Sequence, residues 1–407
     1  MKNVLVWLLT LLSSTLSAEN RIYDPQVKSL QAKVNQDWLS PPVMRLYGND
    51  FLHIGFDELS HDYHRYIYRL EHCEADWSVS EELFESDWLE GFNNIVIDDF
   101  DYSINTTVAY THYQLTIPNQ QCHLKMSGNY RLHIMDEEEE KEILSVEFMI
   151  TEQTAILSTA VSTNTDIDTN KCHQQVTFGL KYGNLTVTDP QEQLQTVVMQ
   201  NGREDNWRWN TKPTFYSQNG LEWNHCKDLI FDGGNEYRKF EILDPSHPTM
   251  GIDRIVWDGD YFQAFPFIDE PRPNYLYDED ANGSFYIRNS DNRENDIISD
   301  YVWVNYRLKS PYPPQGDIVI NGRWTTEDPD TYVMTYDEAT KLYTASILQK
   351  QGYYSYQYLL LKDGASYPLP SEGNFYETEN RYQILVYYKG TGERTWRLVA
   401  YNQINIH

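Results

Sequence analysis

The stretch Asp300-Tyr301-Val302-Trp303-Val304-Asn305-Tyr306-Arg307-Leu308 runs with a period of two. Successive side chains of a strand point to opposite faces, so this period marks a half-buried β-strand rather than a helix. Working outward, the same reading recurs. Tyr66, Tyr68 and Leu70 fall on one face with Arg65 and Arg69 on the other, and the turn Ser127-Gly128-Asn129 leads into Tyr130-Arg131-Leu132-His133-Ile134-Met135. Gly352-Tyr353-Tyr354-Ser355-Tyr356-Gln357-Tyr358-Leu359-Leu360 and residues 382–388 complete the set. The chain carries 32 Tyr, 15 Phe and 11 Trp, which suit a pleated, half-packed surface. Strands at short spacing with almost no helical period predict an all-β protein of tandem immunoglobulin-like β-sandwich domains.

At 407 residues the chain exceeds one sandwich core, and three domains are expected. Residues 1–18 have the layout of a cleaved signal peptide: Lys2, an apolar core and a small-residue exit at Ala18. An N-terminal β-sandwich is expected over 19–152, a middle one over 153–294 and a C-terminal one over 295–407. The polar run 151–169 and the charged run 291–300 suggest the two boundaries. The formal charge of −29 argues against nucleic acid or anionic lipid as a partner. In an oxidising compartment the simplest cysteine pairing is Cys73 with Cys122 and Cys172 with Cys226, free buried thiols being the alternative.

Chemistry is sparse. His61, His64, His72 and His112 invite a metal hypothesis, but residues three apart on a strand point to opposite faces, and local hydrogen bonding is the better reading. Carboxylates are too common here for any pair to be diagnostic. Glu236, in Gly233-Gly234-Asn235-Glu236-Tyr237-Arg238, reads as a structural partner of Arg238. Asp278-Glu279-Asp280-Ala281-Asn282-Gly283 lacks the alternation and terminal Glu of a calcium loop. Nucleophile elbows, phosphate loops and H-E-x-x-H are absent from the sequence. No catalytic residue, metal or cofactor is expected.

Two phrases stand out: His72-Cys73-Glu74-Ala75-Asp76-Trp77, and Asn105-Thr106-Thr107-Val108-Ala109-Tyr110-Thr111-His112-Tyr113 with Pro118 and Asn119 after it. With Gly234, Asn235, Glu236 and Arg238 further on, they resemble the plug protein family of the type IX secretion system. The resemblance implies a periplasmic protein at the inner face of the outer membrane. Such a protein binds the mouth of a very large β-barrel translocon, holds the idle channel shut, and serves a pathway of export and gliding motility. It brings no catalytic residues. The third domain is similar to early-set modules found as glycogen- and starch-binding domains. The alternative is therefore a glycan-binding protein presenting Trp303, Trp324 or Tyr353 to sugar rings.

Overall fold

The period-two stretches become strands whose alternate residues fill cores. In the strand Tyr301–Lys309, Val302, Val304, Tyr306 and Leu308 are buried, while Trp303, Asn305 and Arg307 lie half-buried on the other face. The computed structural model describes residues 20–406, so the expected signal peptide lies outside the described residues. Within them the chain is built of antiparallel-dominated sheets with only short helical turns.

The first sandwich faces the sheet of Lys141–Thr151, Gly128–Asp136 and Tyr66–Cys73 against that of Val27–Val34, Leu52–Glu58, Thr111–Ile117 and Phe100–Tyr102. Leu52, Ile54, Phe56, Tyr113, Leu132 and Phe148 fill the space between them. Stacked and edge-on rings at Phe56, Tyr66 and Tyr113 add directional packing to the area they bury.

The other two sandwiches are not consecutive in the chain. The middle one pairs Ile156–Ser162, His173–Lys181 and Gly220–Trp223 in one sheet. Its second sheet runs Arg203–Trp209, Leu194–Gln200, Arg381–Tyr388, Arg397–Asn405. The third sandwich is built within residues 238–368. One sheet centres on Gly352–Lys362, paired with Arg238–Ile242, Phe285–Ile287, Asp317–Asn321 and Ala365–Pro368. The other contains Ile252–Trp257, Phe262–Pro266, Tyr301–Lys309, Leu342–Lys350 and Thr335–Asp337. The third sandwich is thus inserted into the middle one, and the strands do not divide near residue 294 as the charged run suggested. That run joins two strands of the third sandwich and packs on the first, where Asp296 and Asp300 find partners. The hydrophobic clusters divide the same way, residues 155–231 with 382–400 in one and 240–369 in another.

The insertion leaves and returns through one stem. Gly233 N donates to Cys172 O at 2.8 Å, Phe375 N to Gly234 O at 2.8 Å, and Asn380 Nδ2 to Gly233 O at 2.7 Å. A Cβ at Gly233 would lie 2.0 Å from Phe375 O, so only glycine lets the two passing chains touch.

Candidate functional site

Where the sandwiches meet, a buried charged seam forms. Phe56 points into the first core, so Asp57, next along the strand, must point the other way, toward the third sandwich. There its Oδ1 accepts from His112 Nδ1 at 2.7 Å, and its Oδ2 from Lys350 Nζ and Tyr301 OH, each at 2.6 Å. Asp57 and Lys350 are both 0% exposed. Lys350 also donates to Asp296 O at 2.6 Å and sits 4.1 Å from the centre of the Tyr110 ring. Tyr110 OH donates to Ser299 O at 2.8 Å. Burial, then the Asp57 charge, pushes the Tyr301 phenol far above its ordinary value and keeps it a neutral donor. Burial pushes the Asp296 carboxyl up, but His112, Lys33 and Lys350 outweigh it and hold it below the usual value.

Beside this centre the turn at 105–108 grips the neighbouring sandwich. Asn105 adopts φ 58°, and Thr106 Oγ1 donates to Val108 O at 2.7 Å. Thr107 N and Oγ1 both donate to Asp300 Oδ2 at 2.7 Å, and Val108 N to Asp300 Oδ1 at 3.1 Å. Asp57 and His112 have the hydrogen bond of a general-base pair, but both are buried, and a base must come within hydrogen-bond reach of its substrate. The arrangement is a clamp.

A second seam joins the first and middle sandwiches. His72 Nε2 donates to Ser127 O at 3.2 Å, leaving Nδ1 to accept from Ser80 Oγ at 2.9 Å. Burial lowers the pKa of His72, which favours that neutral form. Ser80 Oγ lies 3.2 Å from Thr395 Oγ1, and Tyr387 OH donates to Asn129 Oδ1 at 2.8 Å. Cys73 and Trp77 pack with Met149, Val197, Met199, Leu385 and Leu398. Asp76 sets the turn that places Trp77, its Oδ1 accepting from Ser78 N and Oγ at 3.1 and 2.6 Å.

At the stem, Arg238 and Glu236 do not pair with each other as the sequence suggested. Arg238 donates to Asp269 Oδ1 at 2.7 Å and to both oxygens of Glu372 at 2.8 and 3.0 Å. Glu236 accepts from Tyr275 OH at 2.6 Å and Glu379 N at 3.1 Å, and burial raises its pKa. Gly234 N donates to Asn374 Oδ1, and Asn235 Nδ2 to Glu372 O. The remaining motif residues stay inside the first sandwich. Thr111 Oγ1 donates to Asp62 O, Tyr113 OH to His64 O, and Asn119 Nδ2 to Tyr68 OH, with Pro118 following a cis peptide. His61 and His64 bind Ser103 O and Glu58 separately and do not converge.

Residues 27–152 match the family described as type 9 secretion system plug protein 1st domain. The crystal structure of a hypothetical protein from Parabacteroides merdae is 36% identical, with a TM-score of 0.93 over 96% of this chain and 100% of that one. The first sandwich of the chain carries the plug-protein first domain. Two other structures come from the Streptococcus pyogenes antigen I/II-family protein AspA (its C-terminal domain) and from dimeric latent PorU of Porphyromonas gingivalis. They are 8% and 11% identical, cover 94% of this chain each and 99% and 34% of their own, and at TM-scores of 0.16 and 0.15 carry no argument. No curated protein matches.

All four cysteines are free, and neither expected disulfide is formed. Cys73 belongs to the seam cluster and Cys122 to the first core, so the two thiols face different packing environments. Burial pushes both up to about 12. Cys226 packs in the middle core, whereas Cys172 turns toward Asp168 and His173. The aromatics considered for sugar stacking are otherwise engaged. Trp324 lies in the third core and donates to Ser355 O at 3.0 Å, Tyr353 packs on Trp38, and Trp303 meets Tyr261 edge-on. Sequence reasoning missed Asp57, Asp300, Lys350 and Glu372, each of which acts on a partner far away in the chain.

Proposed function

We propose that this chain is a non-enzymatic periplasmic plug that binds the periplasmic mouth of the type IX outer-membrane translocon and keeps the idle channel closed. The observation that carries this reading is the match of residues 27–152 to the plug-protein first domain. The geometry supports it physically. Tyr110, His112, Cys73 and Trp77 of that domain take part in the seams that hold the first sandwich to the other two, and a body that blocks a pore must keep its shape under load. Exposed Trp257, Phe267 and Leu276 on the third sandwich offer anchors of the kind found at protein interfaces. The protein would sit at the inner face of the outer membrane through protein contact alone, serving secretion and gliding motility.

The test is gentle detergent extraction of outer membranes carrying the affinity-tagged protein, followed by mass spectrometry. Recovery of a very large β-barrel protein at near-equal stoichiometry is expected. Recovery of the bait alone, or with glycan-handling proteins, would overturn the reading.

A further inference from the structure

The loop at 163–172, between the strands Ile156–Ser162 and His173–Lys181 of the middle sandwich, brings three different metal-binding groups together. Cys172 Sγ lies 3.5 Å from Asp168 Oδ2 and 3.4 Å from His173 Nδ1, and His173 Nδ1 lies 2.6 Å from Asp168 Oδ2. Around a tetrahedral zinc with Zn–S of about 2.3 Å and Zn–N or Zn–O of about 2.0–2.1 Å, adjacent ligand atoms stand roughly 3.3–3.5 Å apart. The two sulfur distances already meet that spacing. The nitrogen–oxygen contact is a hydrogen bond and has to open by about 0.7–0.9 Å.

The surroundings prepare each ligand for the role. Thr165 Oγ1 donates to Asp168 Oδ1 at 3.0 Å, which leaves Oδ2 facing the cysteine and the histidine. Asp232 Oδ1 lies 3.5 Å from His173 Nε2 and is itself fixed by Asn374 Nδ2 at 2.6 Å. Nδ1 now shares a proton with Asp168 Oδ2. A metal would displace that proton, and a carboxylate facing the far ring nitrogen favours the tautomer that coordinates through Nδ1, the outer-shell arrangement common to metal-bound histidines. Asp168 is nearly buried and His173 partly open, so a fourth position faces solvent.

We propose that Asp168, Cys172 and His173 bind one thiophilic divalent cation of the zinc class, with Asp232 orienting the histidine. The site lies on the middle sandwich, outside the matched first domain, and stands whether or not the plug reading holds.

The experiment titrates the reduced, full-length secreted form with Co2+ as a spectroscopic probe and with Zn2+ in competition against a chromophoric chelator. One Co2+ per chain with a thiolate-to-cobalt charge-transfer band is expected. The band is lost in Cys172→Ser and His173→Ala and kept in Cys226→Ser, and Asp232→Asn weakens Zn2+ binding by about 10–100-fold. Circular dichroism confirms that each variant is folded. Absence of the band in the parent protein, or its survival in Cys172→Ser, overturns the proposal. So does a Cys172–Cys226 cross-linked peptide from protein isolated from the cell envelope.

Discussion

Replacing Lys350 by Met keeps the length of the side chain and removes its charge from the seam between the first and third sandwiches. At 2.6 Å from Asp57 Oδ2, an ion pair with an effective dielectric of about 20 has a gross attraction of roughly 6 kcal/mol. Part of that is offset by the water both groups gave up on burial. The variant, however, leaves the Asp57 carboxylate enclosed with only His112 and Tyr301, and breaking one side of a buried pair costs about 3–5 kcal/mol. Denaturant unfolding followed by Trp fluorescence should show that loss in Lys350→Met. In a double-mutant cycle with Asp57→Asn, the double variant should be less damaged than the sum of the singles, with a coupling of about 1–3 kcal/mol. A Lys350→Met loss below about 1 kcal/mol, with coupling under about 0.5 kcal/mol, would refute the claim that this pair locks the two sandwiches.

Asp300→Ala removes the three hydrogen bonds that reach across to the 105–108 turn and should cost about 2–3 kcal/mol, with a new proteolytic cut at 105–108 as its signature. His133, held between Glu142 at 2.5 Å and Glu71 at 3.2 Å, has its pKa raised to about 9: burial alone would lower it, and the two carboxylates more than reverse that. A raised histidine pKa contributes stability that is fully present below about 6.5 and lost as pH rises through about 9, here at most about 3 kcal/mol. The melting temperature should therefore fall over that window, and His133→Gln should flatten the profile. Alkylation of the folded protein at pH 8 should modify half-buried Cys172 before buried Cys73 and Cys122. Unfolding without reductant should release four thiols, and a protein with no free thiol would restore both disulfides.

Period-two patterning made the strands legible, because Tyr66, Tyr68 and Leu70, or Val302, Val304 and Tyr306, must face one core whatever else the chain does. The insertion was not legible. Leu194–Gln200 pairs with Arg381–Tyr388 across nearly two hundred residues, and pairing over that separation leaves no local mark on either strand. The charged run at 291–300 looked like a linker because the side chains that bind Asp296 and Asp300 lie far away in the chain. Asp300 is satisfied by Thr107 and Val108, and Asp296 by Gln31. The phrases at 72–77 and 105–113 were conspicuous in sequence, but their role as latches appears only once Ser80 meets Thr395 and Asp57 meets Lys350. Cysteine spacing misled for a similar reason. Cys73 and Cys122 share a sandwich yet face different clusters.

The stem has a consequence for the order in which the molecule can assemble. The first sandwich contains all its strands once residue 151 is available, and the third once residue 368 is. The middle one cannot close until Arg381–Tyr388 and Arg397–Asn405 arrive, although its opening strand is laid down more than two hundred residues earlier. Leu385, Tyr387 and Leu398 on those two strands also complete the contact with the first sandwich. During vectorial delivery of the chain, the half-built middle sheet must wait with its apolar face open while the whole insert passes and folds. The last forty or so residues then act as a single closing step that joins two neighbours at once, and a chain cut short in the stem loses both the middle core and its grip on the first.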